Sequence, residues 1–139
     1  MAKMPKEVRD LFGELTAPKA MATCDAAGKL NVSPIGSLIA TDEETLAFVD
    51  LHGQATRTMK NLEATKQAAV TVFEVTTAPP FSAYQVKGTF QGFQKSGPLF
   101  DQFAKMMKEA TGLDIKGVGT IKVEEVYSAS PMEPGKKLA

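Results

Sequence analysis

Tryptophan is absent, cysteine occurs once, at Cys24, and histidine once, at His52. A lone cysteine cannot close an intramolecular disulfide, so the chain needs no oxidising compartment, and Cys24 reads as a small buried apolar residue. One histidine and one cysteine also fall short of a structural zinc site, and no metal is expected. Neither sign of charge is in excess: 16 basic and 16 acidic residues leave a formal net charge of zero. That removes any general attraction to nucleic acid or to an anionic membrane, so an anion site must be built locally. Long apolar runs are missing as well, since nowhere do about 18 apolar residues follow one another. The opening MAKMPKEVRDLFGEL lacks the uninterrupted apolar core of a signal peptide. A cytoplasmic protein, neither exported nor membrane-spanning, is expected.

The 139 residues, 43% of them hydrophobic and 23% charged, suit one globular domain with a single core. Within it, residues 1–16 read as an N-terminal helix: Pro5 suits a first turn, and Val8, Leu11, Phe12 and Leu15 recur at spacings of three and four. Ala20 to Cys24 and Leu30 to Pro34 flank a turn at Asp25–Lys29. Ser33-Pro34-Ile35-Gly36-Ser37 then interrupts a strand-like region that resumes as Leu38-Ile39-Ala40. Such a break suits a bulge or barrel corner, and also a place where a ligand approaches the backbone. Thr41–Thr45 reads as a hairpin turn, with Leu46 to Leu51 as the return strand.

After a helix from Thr56 to about Ala64, Ala68 to Val75 reads as a buried strand with a β-branched core. Thr76–Phe81 reads as a loop, and Ser82 to Gln94 as one long bent strand. Ser96 is expected to cap a helix through about Ala110, whose apolar face is Leu99, Phe103, Met106 and Met107, the methionine pair filling core. Gly117 to Ser128 is the last strand, and residues 129–139 form a tail that is either loose or laid along a partner. About six mostly hairpin-connected strands with three helices make an α+β protein, an antiparallel barrel with helices at its ends.

The stretch FVDLHGQATRTMKNLE, Phe48 to Glu63, carries the strongest hint of chemistry, because a strand ends there and a helix begins. The first turn of a helix leaves backbone N–H groups unpaired at the positive end of its dipole. Thr56 is the expected N-cap, and Arg57, Thr58 and Lys60 add cations and a hydroxyl beside those donors, the combination a phosphate requires. An ordinary capped surface helix with two solvated cations fits the same residues. Asp50 at the strand end and His52 in the turn read as solvent-facing, and no acid, base or nucleophile stands out.

Three stretches, Asn31-Val-Ser-Pro-Ile-Gly36, the Phe48 to Leu62 junction and Tyr84-Gln-Val-Lys-Gly88, resemble in order and spacing the flavin-binding split-barrel proteins related to pyridoxamine 5′-phosphate oxidase. The resemblance spans about residues 17 to 127 and implies a six-stranded antiparallel split β-barrel with flanking helices, a single FMN-binding domain over 1–139. It implies that Ser33, Pro34, Ile35, Gly36 and Ser37 run along the flavin ring and ribityl chain, and that Val49 and Asp50 meet the ribityl region. Thr56, Arg57 and Thr58 would hold the phosphate, and Gln85 would reach the flavin; Lys60 has no counterpart. It further implies a homodimer with the flavin at the subunit interface, the final strand and tail contributing.

The chain departs from genuine pyridoxamine-phosphate oxidases in ending SPMEPGKKLA, without their arginine- and histidine-bearing closing segment, so that activity is not expected. With no tryptophan, Phe81, Tyr84 or Tyr127 would have to cover the flavin. The expected function is a small FMN-dependent oxidoreductase or electron carrier. The alternatives are a non-redox binding protein for haem or another cofactor, with His52 as the one available histidine ligand, and a dimeric domain that kept the fold without the site.

Overall fold

The structure is a computed structural model that describes residues 2–75 and 81–139. The loop expected at Thr76–Phe81 falls, up to Pro80, outside the described residues. The elements run α1 (Lys6–Gly13), β1 (Lys19–Cys24), β2 (Leu30–Pro34), β3 (Ile39–Asp42), β4 (Thr45–Asp50), α2 (Arg57–Thr65), β5 (Gln67–Phe73), β6 (Ala83–Gln94), α3 (Pro98–Thr111) and β7 (Gly117–Ser128). Among the described residues no helix is long and apolar enough to cross a membrane.

The strands form one antiparallel sheet in the order β2-β1-β5-β6-β7-β4-β3, seven strands rather than six. The extra strand has a simple origin. Residues 35–38 do not bulge within one strand; they connect β2 to β3, the two opposite edges of the sheet. A connection that short spans at most about 17 Å, so the sheet must roll until its edges nearly meet. They stay unpaired, which makes an open, split barrel.

The barrel interior is apolar. Met21, Phe48, Val70, Val72, Val86, Phe90, Ile121 and Val123 point inward, with Val8, Leu11 and Phe12 of α1 and Met59 and Leu62 of α2 packed against them. Strand β4 is buried on both faces: Leu46 and Phe48 enter this core, whereas Ala47 and Val49 join Phe103 of α3, Ile115 and Val118 in a second one. Period two therefore fails as an exposure signal on β4 because α3 covers its outer side. Phe48, Phe90 and Phe93 make a cluster of tilted and edge-on rings 4.8–6.4 Å apart, and Gly119, opposite Phe48, leaves the space its ring occupies.

Two ends differ from expectation. Helix α3 starts at Pro98 after Gly97, which has no side chain to cap it, so Ser96 is not the cap. The tail is not loose. It folds back on β7, with Ser128 N–H donating to the Lys136 carbonyl at 2.8 Å and Leu138 N–H to that of Val126 at 2.8 Å. These bonds satisfy the β7 groups that β4 does not reach.

Candidate functional site

At the split, a cavity of about 500 Å³ opens between the two sheet edges. Its walls come from the end of β2 (Ser33, Pro34), the connection (Ile35, Gly36, Ser37), Ile39, the end of β4 (Val49, Asp50), the start of α2 (Thr56, Thr58) and α3. Nine of the eleven residues singled out from sequence thus meet in one place. Arg57 stands exposed between Thr56 and Thr58, outside the lining. Gln85 is elsewhere: it is exposed on β6, between Thr71 and Tyr127 on the neighbouring strands.

The junction between β4 and α2 is held by Asp50, which is fully buried rather than solvent-facing. Its Oδ1 accepts from His52 N–H at 3.0 Å, and its Oδ2 from Gln54 N–H at 2.8 Å and Gln54 Nε2 at 2.7 Å. The carboxylate is spent on the turn, where Gly53 and Gln54 both have positive φ. A polar residue at a strand end looks exposed in sequence, but here the turn wraps its own anion. His52 is exposed, as expected, and borders the cavity.

Thr56 caps α2 as predicted, its hydroxyl accepting from Met59 N–H at 3.4 Å. The amides of Arg57 and Thr58 have no acceptor among the described residues, and neither does the Arg57 guanidinium. Buried Thr58 accepts from Asn31 Nδ2 at 3.0 Å, which leaves its hydroxyl proton free to donate. Helix α2 cannot swing away, because Asn61 Nδ2 donates to Thr23 at 3.1 Å and Thr65 to the Cys24 carbonyl at 3.1 Å, both on β1. Just beyond the β3–β4 ladder, Val49 N–H donates to Ser37 Oγ at 2.9 Å and ties the connection to β4. The result is a rigid cluster of donors around a mainly apolar cavity.

Sequence reasoning missed two features. Met106 and Met107 pack against the second core as expected, yet they are only half buried and also line the cavity with Ala110 and Thr111. Leu15 lies beyond the end of α1, is 75% exposed and also borders the cavity. Lys19, on β1, is buried behind the connection, its Nζ donating to the Gly36 carbonyl at 3.4 Å, and that burial pushes its pKa below the usual lysine value. Among the described residues it has no anionic partner.

A buried cation without a counter-charge costs stability, so Lys19→Met should raise the unfolding free energy at pH 7 by about 1 kcal/mol in urea titrations. The sign follows from the lowered folded pKa: the penalty is complete below that value and fades as pH climbs toward the unfolded one. The advantage of the variant should therefore shrink in alkaline solution.

The family model for pyridoxamine 5′-phosphate oxidase matches residues 4–130. Among solved structures, HupZ of Group A Streptococcus is similar at 22% identity, over 98% of this chain and 99% of that one, with a TM-score of 0.79. An FMN-binding protein of Syntrophomonas wolfei shares 18% identity over 88% and 83%, with a TM-score of 0.78. HutZ of Vibrio cholerae, a haem storage protein, shares 18% over 94% and 99%, with a TM-score of 0.67. These likenesses establish the fold. No curated protein matches the sequence. Because the family model covers nearly the whole length, across both sheet edges and the cavity between them, the chain belongs to the pyridoxamine 5′-phosphate oxidase family.

Proposed function

We propose that the protein binds FMN in the cavity at the split and serves as a small cytoplasmic oxidoreductase or electron carrier. The observation that carries this reading is the start of α2, where two amides without an acceptor among the described residues and the Thr58 hydroxyl proton border an apolar cavity, with Arg57 exposed beside them. A phosphate needs those donors and that charge, and a ring system needs the apolar walls. The bound flavin would supply the electron or hydride exchange. The residues of this chain do the rest: Thr58 and Arg57 hold the phosphate, Asp50 shapes the turn that leads to it, and the 33–37 segment with Ile39 and Val49 shields one side from water.

The proposal includes a homodimer. Exposed Leu30 and Val32 on edge strand β2 lie on the sheet face that continues through Ala22 and Ala69 to Lys87, on the strand that carries Gln85. Covering that face with a second copy removes apolar surface from water, and it gives Gln85 a route to a site that its own chain does not offer.

Arg57→Ala should weaken FMN by about 1.5 to 3 kcal/mol, roughly 10- to 150-fold, the worth of a charge-assisted hydrogen bond. Riboflavin, without the phosphate, should bind the variant and the parent equally. Titration of both ligands by flavin fluorescence decides it, and equal losses for the two would discredit the phosphate assignment. One observation favours haem as a second reading: His52, the only histidine, borders the same cavity. Under that reading the protein takes up haem, and His52→Ala removes its ligated spectrum; absence of haem uptake ends it.

A further inference from the structure

The apolar stripe of α3 runs through Phe103, Met106, Met107 and Ala110, positions that share one helix face. It has two halves with different surroundings. Phe103 is completely buried in the second core beside Ala47, Val49, Ile115 and Val118. Met106 and Met107 lie on the same face, yet they are only half covered, because the stripe runs past the edge of β4 and over the cavity. No phenylalanine or tyrosine lines that cavity among the described residues, so its α3 side consists of two thioethers and the small residues Ala110 and Thr111.

We propose that Met106 and Met107 form the wall that lies against the planar ring system of the bound ligand, and that this wall selects flat conjugated ligands. The inference rests on the flavin reading and adds to it the residues that contact the ring on the α3 side. The chemistry suits the residue type. A thioether is polarisable and makes favourable contacts with aromatic rings, and an unbranched side chain adapts its rotamers to a flat surface. Anchored by Phe103, the helix holds the wall in place, while the phosphate donors belong to α2. Ring recognition and phosphate recognition thus belong to different elements, and ligands lacking one part can separate them.

Methionine oxidation reads the contact directly in the unaltered protein. The chain carries its own controls outside the cavity: Met132 is exposed, and Met4 and Met21 are buried. Brief peroxide treatment in the dark, followed by peptide mass spectrometry, should oxidise Met106, Met107 and Met132 in the free protein. Saturating FMN, with occupancy verified by absorbance, should slow oxidation of Met106 and Met107 several-fold and leave Met132 unchanged. Riboflavin should protect as FMN does, and inorganic phosphate should not.

The Met106→Ala/Met107→Ala double variant should weaken FMN and riboflavin by the same factor, about tenfold, unlike Arg57→Ala, which spares riboflavin. FMN that binds while Met106 and Met107 oxidise at the free rate overturns the wall and leaves the flavin reading intact. Protection of Met132 to the same degree also overturns it, because the effect is then not local. A protein that binds no FMN overturns both.

Discussion

Asp50→Ala should lower the unfolding free energy by about 3 kcal/mol, the scale of buried donors losing hydrogen bonds to a charged acceptor, and weaken FMN binding with it. The carboxylate is the acceptor for three donors, the His52 and Gln54 amides and Gln54 Nε2, all within 3.0 Å. Alanine strands those donors at the base of a turn in which Gln54, a residue with a side chain, holds φ at +66°. A left-handed conformation outside glycine costs of order 1 kcal/mol or more and persists only when its surroundings enforce it. Without the anion, the turn has no reason to stay left-handed, and the start of α2 loses its fixed approach to the cavity. Asp50→Asn, which keeps the shape and one acceptor, should fall between the variant and the parent. Urea unfolding combined with FMN titration checks both effects; a loss under about 1 kcal/mol would mean that the turn supports itself and that Asp50 is not its organiser.

The second large effect is expected at Gly88, far from the cavity. A Cβ there would collide with the Lys122 carbonyl oxygen and come within 2.7 Å of Ile121 Cγ2. Both obstacles belong to β7, and the pairing of β6 with β7 changes register between Lys87 and Gly88. A flexible side chain could step aside, but a backbone carbonyl inside a ladder moves only by displacing its strand. Gly88→Ala should therefore cost about 3 kcal/mol, at the upper end of overpacking substitutions. The same change at Gly36, where a Cβ would meet nothing within 4 Å, provides the contrast and should leave the unfolding midpoint nearly unmoved. Equal midpoints for the two variants would show that β7 yields freely at this bulge.

The difference between these glycines was not legible in the sequence. Glycine in a strand-like stretch signals a bulge, a corner or a close approach without saying which. What distinguishes them is a neighbouring strand distant in sequence. The same limit appears at the connection: Ser33–Ser37 was recognised as a break, but a bulge within a strand and a link between two sheet edges leave the same local pattern. Only the strand order shows that this link joins β2 to β3 and so draws the cavity walls together.

What the sequence by itself determined is local. The periodicity of Val8, Leu11 and Phe12, the hairpin turns, the Thr56 cap and the helix start at 56–58 all follow from interactions within a few residues, and those are encoded by neighbouring letters. The tertiary structure alone decided which surfaces stayed open. Asp50 is buried where the end of β4 pairs with Gly117 of β7, Met106 and Met107 are half open where α3 runs over the cavity, and Gln85 is exposed on β6, outside the cavity lining. Each outcome depends on what a second layer covers, and burial of that kind is set by contacts between distant segments, which no local pattern specifies.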